Sequence, residues 1–285
     1  MIYGYLYQGS GAGNQLHRYI ATRVKAIDLG VDYRMIYVPD NSGKVPNFKC
    51  QSFMEFDGGK IVTEVPLGQK VFNEKKVVEN GVDIRGYDPE INFVGDWTTI
   101  DGEFQDERYF EHRMKEVDEW LKVEPLEMDD NLCVIGFRGG EFSVFPDLFL
   151  TKEYWAEAKV LMLQKNINMK FEVHTDDEIL ARQFFPDYKI IHDIGINWRS
   201  MRYAKYAIIA NSSFYILPRL LRDEEKHAVD ATYETWGTDK DCNGRPISAL
   251  KMTKNSLTIA PKYWARRNTG VWCLPQNYYK QFRYI

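Results

Sequence analysis

Between residues 132 and 210 short apolar runs alternate with stretches of helical period, and this alternation restricts the fold more than any other feature of the chain. Residues 132–137 read as a strand, 152–165 as a helix, 170–174 as a strand and 177–185 as a helix, with further strands at 189–192 and 207–210. Strands and helices in turn build βαβ units, and βαβ units build a parallel sheet. The run LCVIGFRGGEF is the centre of the pattern, because Leu132, Val134, Ile135 and Phe137 have the β-branched and aromatic bias of a buried strand. Arg138 stands at its carboxyl end, followed by Gly139 and Gly140, where open α/β sheets bind their ligands. A planar, permanently charged guanidinium suits phosphate oxygens there, and glycines let backbone approach closely. A salt bridge on a loop is the plainer use of the same arginine.

The N-terminal half opens in a related way. Residues 2–7 read as a strand, Gly9 to Gly13 as a glycine-rich turn, and Leu16, Tyr19, Ile20, Val24 and Ile27 recur at helical spacing. Gly30 falls where a left-handed C-cap is expected, and residues 33–38 form a second strand. Such a β-turn-α-β opening offers backbone N–H groups to an anion. Residues 40–98, broken by Gly58, Gly59, Pro66, Gly68, Gly81 and Gly86, read as loop-rich and irregular. Residues 109–121 read as a helix burying Tyr109, Phe110, Met114, Val117, Trp120 and Leu121. The acidic stretch 124–130, with Pro125, marks a boundary, giving domains 1–128 and 129–285 with a C-terminal tail that can fold back on the first. Two nucleotide-binding-like halves facing a cleft, with mostly parallel sheets, is the expected α/β architecture.

Formal net charge is −4, so the composition gives no general affinity for nucleic acid or anionic membrane, and an anionic ligand needs a local cluster. Cys50, Cys133, Cys242 and Cys273 form no C-x-x-C pair, which points away from a zinc site or a redox dithiol. The N-terminal stretch lacks a basic region followed by a sustained apolar run, and no segment is apolar enough to span a membrane. A cytoplasmic protein is expected.

Four strand-to-turn junctions collect the residues with chemistry. At the first, Gly11 and Gly13 bring Asn14, Gln15 and the helix amides towards a polar ligand; an ordinary tight turn is the alternative. Arg138 with Glu141 forms the second. At the third, Asp176 and Asp177 end a strand, and an ionised carboxylate there could accept the N–H groups of a guanine edge. Thr175 or Asp176 could equally cap the following helix, and a hard-metal site needs more oxygen ligands than this stretch shows. At the fourth, Asn211, Ser212, Ser213 and Phe214 follow a buried strand, so the serines can hold a phosphate or cap a helix. Asp239 and Asp241 read as turn residues. The histidines have no zinc-enzyme spacing, and no G-x-S-x-G elbow or P-loop is present.

Taken together, Gly11-Ala12-Gly13-Asn14-Gln15-Leu16, Gly102-Glu103-Phe104-Gln105 running to Tyr109-Phe110, Arg138 in its turn, Thr175-Asp176-Asp177, Asn211-Ser212-Ser213-Phe214 and Ala260-Pro261-Lys262-Tyr263-Trp264 form an ordered series. The series resembles the bacterial α-1,2-fucosyltransferase family, glycosyltransferase family 11-like, of the GT-B-type fucosyltransferase superfamily. That family's H-x-R-R-x-D pattern falls on residues 136–141, with Gly136 for the histidine, Gly139 for the second arginine and Glu141 for the aspartate. Tyr215-Ile216 replaces its tryptophan pair after N-S-S-F.

The resemblance implies a GT-B-like fold of two Rossmann-like halves and inverting transfer of L-fucose from GDP-fucose to a sugar hydroxyl, with no metal and no cofactor beyond the donor. It implies a glycan or saccharide acceptor and no nucleic acid partner. The expected catalytic residues are Arg138, on the β-phosphate, and Glu141 as base, with Asp147 and His17 as other candidates for the base. Asp176, Asp177, Asn211, Ser212, Ser213 and Phe214 are the expected donor-binding residues. Gly11, Gly13, Asn14, Gln15 and His17 are expected on the acceptor side of the cleft. Another GDP-sugar, or a nucleotide- or glycan-binding relative without turnover, remains open because of the departures at 136, 139 and 141. A dinucleotide oxidoreductase fits less well, since Asn14 directly follows Gly13 where G-x-G-x-x-G needs a further residue.

Overall fold

The computed structural model describes residues 1–7, 9–38, 48–55, 57, 60–75, 77–79, 82–84, 87–144, 149–150, 152–210, 212–221, 234–237 and 256–258. They fall into two compact units, Met1–Val123 and Glu124–Ile285. The acidic stretch 124–130 opens the second.

In the first unit, β1 (Ile2–Tyr7), α1 (Ala12–Asp28) and β2 (Tyr33–Val38) form the expected opening, followed by β3 (Lys60–Val62) and β4 (Lys70–Asn73). A small antiparallel pair, β5 (Val77–Glu79) and β6 (Val82–Ile84), precedes β7 (Thr98–Asp101) and α2 (Met114–Trp120). The main sheet has the order β3-β2-β1-β7-β4, and every pair in it is parallel. Ile2, Leu6, Leu16, Tyr19, Ile20 and Ile100 are buried at its centre. Helix α1 ends as its sequence predicts: Gly30 takes φ +66, its N–H donates to the Ile27 carbonyl at 3.0 Å, and Val31 N–H donates to Ala26 at 3.0 Å. These two bonds close a Schellman motif, and a residue without Cβ bears the left-handed turn at least cost.

Two expectations for this unit need correcting. The irregular stretch 40–98 supplies strands β3 and β4 to the main sheet. Both are short edge strands, and β4 is largely exposed, so neither carries the apolar alternation that would have marked it. The helix expected over 109–121 is also shorter. Short 3-10 turns at Glu107–Tyr109 and Glu111–Arg113 precede α2, because Phe110 adopts φ −146 and ψ −3. Tyr109 and Phe110, at that break, are both buried.

The second unit runs β8 (Leu132–Phe137), α3 (Lys152–Lys165), β9 (Lys170–Thr175), α4 (Glu178–Phe184) and β10 (Lys189–Ile191). Then come α5 (Ile194–Tyr203), β11 (Tyr206–Ile209), α6 (Ser213–Leu220), β12 (Glu234–Gly237) and β13 (Ser256–Thr258). Its sheet has the order β10-β9-β8-β11-β12-β13, again parallel throughout. Helix α5, capped by the Asp193 side chain on Ile196 N–H at 2.7 Å, was not anticipated, nor were β12 and β13.

The chain leaves β8 towards β9 and β10 and returns through α5 to lay β11 on the other side of β8. Strand order therefore reverses at β8/β11, and a crevice opens at such a switch point beyond the carboxyl ends. Two parallel-sheet α/β units in series are consistent with a GT-B-like fold.

Candidate functional site

Register brings the informative residues of the second unit to one place. Phe137 pairs with Thr175 and Ile209 with Gly136, so β8, β9 and β11 end side by side at the switch point. The residues that follow them are Arg138, Asp176 and the stretch leading to Ser212 and Ser213.

Arg138 donates from Nη1 to Asp176 Oδ2, and its guanidinium lies 5.1 Å from the centre of the Phe142 ring. The other oxygen of Asp176 accepts the Gly139 N–H at 2.9 Å. A permanent cation and a backbone donor thus converge on one carboxylate, which is how a phosphate group is also held. Both partners of the pair are partly exposed. The two glycines, expected to let backbone approach a phosphate, are instead packed on carboxylates. A Cβ on Gly139 would stand 2.6 Å from Asp177 Cβ, and one on Gly140 would stand 2.3 Å from Asp176 Oδ2.

Asp177 is the N-cap of α4: its Oδ1 accepts Leu180 N–H at 3.0 Å, and its own N–H donates to Thr175 Oγ1 at 3.0 Å. The capping alternative is therefore realised, by Asp177 rather than by Thr175 or Asp176. Ser212 occupies the N-cap position of α6, is buried, and makes no side-chain cap bond there. Ser213 and Phe214 begin the helix, and the Phe214 ring packs against Trp198 at 5.5 Å. Glu141 lies in the 3-10 turn Gly140–Val144, with its side chain outside the described residues. Asn211, Asp147, Asp239, Asp241 and the segment 260–264 also lie outside the described residues.

Three residues to which the sequence assigns no role support this end of the sheet. Buried Tyr215 donates its hydroxyl towards Phe137 O, at 3.1 Å, and His174 O, at 2.9 Å. Burial, and then the Asp176 charge, push its phenol far above the ordinary range, so it stays a donor. Buried His174 bonds Asn197 Oδ1 at 3.0 Å and Glu172 Oε1 at 2.9 Å, while Asn197 Nδ2 donates to Thr175 O at 3.0 Å. The bond from His174, more than that from Lys189, holds Glu172 down to about 2. Glu172 and His174 share a face of β9 by alternation, a signal readable in sequence; Asn197, from the unanticipated α5, is not.

In the first unit, Gly11 is the N-cap of α1, with open space where a Cβ would be. Asn14 accepts the Gln105 amide at 2.9 Å, which ties the first junction to the segment after β7. Gln15 and His17 are both buried within the first unit. Gln15 Oε1 accepts Lys49 N–H at 3.0 Å and pins the chain before Ser52. His17 Nδ1 meets the Gly13 carbonyl at 2.9 Å, and its ring packs edge-on to Phe110. Burial takes its pKa down to about 4.

A charged network at the ends of β1 and β7 also went unread. Arg18 donates to Glu103 at 2.7 Å and to Asp101 at 3.4 Å, and Tyr7 donates to Asp101 at 3.1 Å. Among the described residues no group of three or more His, Cys, Asp or Glu could hold a metal ion, and no helix is long and apolar enough to cross a membrane.

No protein-family model and no curated protein matches the chain. Several solved structures are similar to it. One is fucosyltransferase NodZ from Bradyrhizobium, with 11% identity over 78% of this chain and 93% of that one, at a TM-score of 0.48. NodZ alpha-1,6-fucosyltransferase co-crystallised with GDP gives 11% identity, 78% and 92% coverage, and 0.47. E. coli heptosyltransferase WaaC with ADP gives 12% identity, 99% and 98% coverage, and 0.46. All three are glycosyltransferases, and each is what this chain is similar to.

Proposed function

We propose that the chain is a metal-independent glycosyltransferase that takes a nucleoside diphosphate sugar and transfers the sugar with inversion to a saccharide hydroxyl. GDP-L-fucose is the donor that the motif resemblance favours. The observation that carries the proposal is the convergence of Arg138 and Gly139 N–H on a single anion at the switch point of the second unit. As the bond from the β-phosphate to the sugar breaks, negative charge grows on the phosphate, and a fixed cation stabilises that state more than the ground state. Ser212 and Ser213, with the start of α6, would add donors to the diphosphate. Glu141 is the proposed base for the acceptor hydroxyl.

Guanine's edge and the β-phosphate of GDP are separated by a ribose and a phosphate. Asp176 can therefore read the base only after releasing Arg138.

A thermal-shift series with GDP, UDP, GDP-fucose and NAD, with and without EDTA, tests the donor class. Ligand at about 100 times its dissociation constant adds roughly 2.7 kcal/mol, enough to move the midpoint by several degrees. A shift with GDP and GDP-fucose that survives EDTA is expected, and a shift with NAD alone would sink the proposal. Arg138→Ala is expected to lower turnover about 100-fold or more, on the order of 3 kcal/mol. Gly136 and Gly139, standing where the family pattern has a histidine and an arginine, favour a second reading as a binding protein without turnover. GDP binding without transfer or donor hydrolysis would select it.

A further inference from the structure

Tyr215 stands where three parts of the second unit meet: the turn carrying Arg138, the turn carrying Asp176 and the helix begun by Ser212 and Ser213. It lies in the first turn of α6, and its hydroxyl reaches the carbonyls of Phe137, one residue before Arg138, and His174, two residues before Asp176. One buried hydroxyl thus joins the helix to the ends of two parallel strands. Strand pairing fixes β8 against β9 through Phe137 and Thr175, and beyond those residues the ladder has ended and the Asp176 carboxylate joins the two turns.

The space for this tie is made by Gly136. A Cβ there would stand 2.9 Å from Tyr215 Cγ, 3.0 Å from Tyr215 Cδ2 and 3.0 Å from Met201 Cε. Any side chain at 136 would press on the tyrosine ring, so the glycine and the tyrosine form one packing solution. The two departures at 136 and 215 are therefore coupled: a histidine at 136 and this ring at 215 exclude each other as placed.

We propose that Tyr215 is a positioning residue, whose hydroxyl holds the ends of β8 and β9 at the spacing that lets Arg138 and Gly139 N–H converge on one anion. The proposal rests on the anion-site reading above. Tyr215 touches neither ligand nor reacting atom in this role. It acts through the two backbone carbonyls.

Tyr215→Phe keeps the ring and removes the tie. The Gly139 amide, bonded to Asp176, reports on convergence without any ligand, by hydrogen exchange. In Tyr215→Phe its exchange is expected to rise about 10-fold, while affinity for GDP and for inorganic pyrophosphate falls about 10-fold. Gly136→Ala, which displaces the ring while keeping the hydroxyl, is expected to act in the same direction. Tyr154→Phe is the control, since it loses an equally buried hydroxyl bond, to Ile209 O at 2.6 Å, made to the end of β11 and to neither β8 nor β9. It is expected to leave Gly139 exchange unchanged. Unchanged exchange and affinity in Tyr215→Phe, or equal losses in Tyr154→Phe, would overturn the proposal. Wild-type protein that binds neither GDP nor pyrophosphate would sink the functional reading instead, and Gly139 exchange would still decide whether the tie exists.

Discussion

At Gly140 a side chain is excluded twice, by a backbone φ of +30 and by Asp176 Oδ2, which occupies the space a Cβ would need. The neighbouring donors, Arg138 and Gly139 N–H, are satisfied by the same carboxylate. The proposed anion site is thus occupied by one of the chain's own carboxylates. Removing that charge has a definite sign: Asp176→Asn is expected to tighten inorganic pyrophosphate about 10-fold, because a competing like charge has gone, and to erase any preference for GDP over UDP. Isothermal titration with the three ligands checks both. Weaker pyrophosphate binding would mean that Asp176 supports Arg138 more than it competes with a ligand. Sequence could place Arg138 and Asp176 at strand ends, but not in contact, because contact depends on the register of β8 against β9.

His17 gives a second residue-scale expectation. Its pKa falls from an ordinary 6.5 to about 4, because burial penalises the charged ring and the Glu103 charge opposes this only in part. The folded state then refuses a proton that the unfolded chain takes. Its contribution to stability is complete above pH 6.5 and is lost as pH falls from 6.5 towards 4, by about 3 kcal/mol in all. Urea unfolding at pH 7, 5.5 and 4 should show that decline, and His17→Gln should flatten it. A variant with the wild-type slope would contradict the assignment.

Among the elements, those with buried strands or a full amphipathic face were legible. β8 and β9 read as strands from composition, and α1 read as a helix with its Gly30 stop, because local chemistry and burial agree there. β3 and β4 did not read, since a three- or four-residue edge strand carries too few positions to show a period. Helix α5 was missed although Asp193 caps it, because an isolated Asp marks turns as readily as helix starts. α4 is only seven residues long and leans on its cap. Asp177→Ala is expected to cost about 1 kcal/mol, visible in the urea midpoint. If the residue also holds the donor, GDP affinity falls with it; an unchanged affinity would leave Asp177 a cap alone.

Over the whole molecule, two parallel α/β units follow from the sequence because α1, α3 and α4 read from it between apolar strands, while strand order does not. The reversal at β8 appears only once β11 is seen on the far side of β8 from β9. The candidate site was legible to the same extent. The cation, the carboxylates and the serines could be given roles, but the ties made by Tyr215, His174 and Asn197 could not, since a buried polar residue shows its role only once its partners are known.

The outermost described strands of the two main sheets have one further consequence. β3, β4, β10 and β13 are three or four residues long, and β3, β4 and β10 each begin with a lysine, at 60, 70 and 189. Among the described residues each such strand has only one or two outward amides, too short a row to recruit a foreign strand, and an ammonium at its start makes a dry, stacked contact costly. Sheets built this way end by themselves, so that crowding many copies together does not turn one molecule's border into a template for the next.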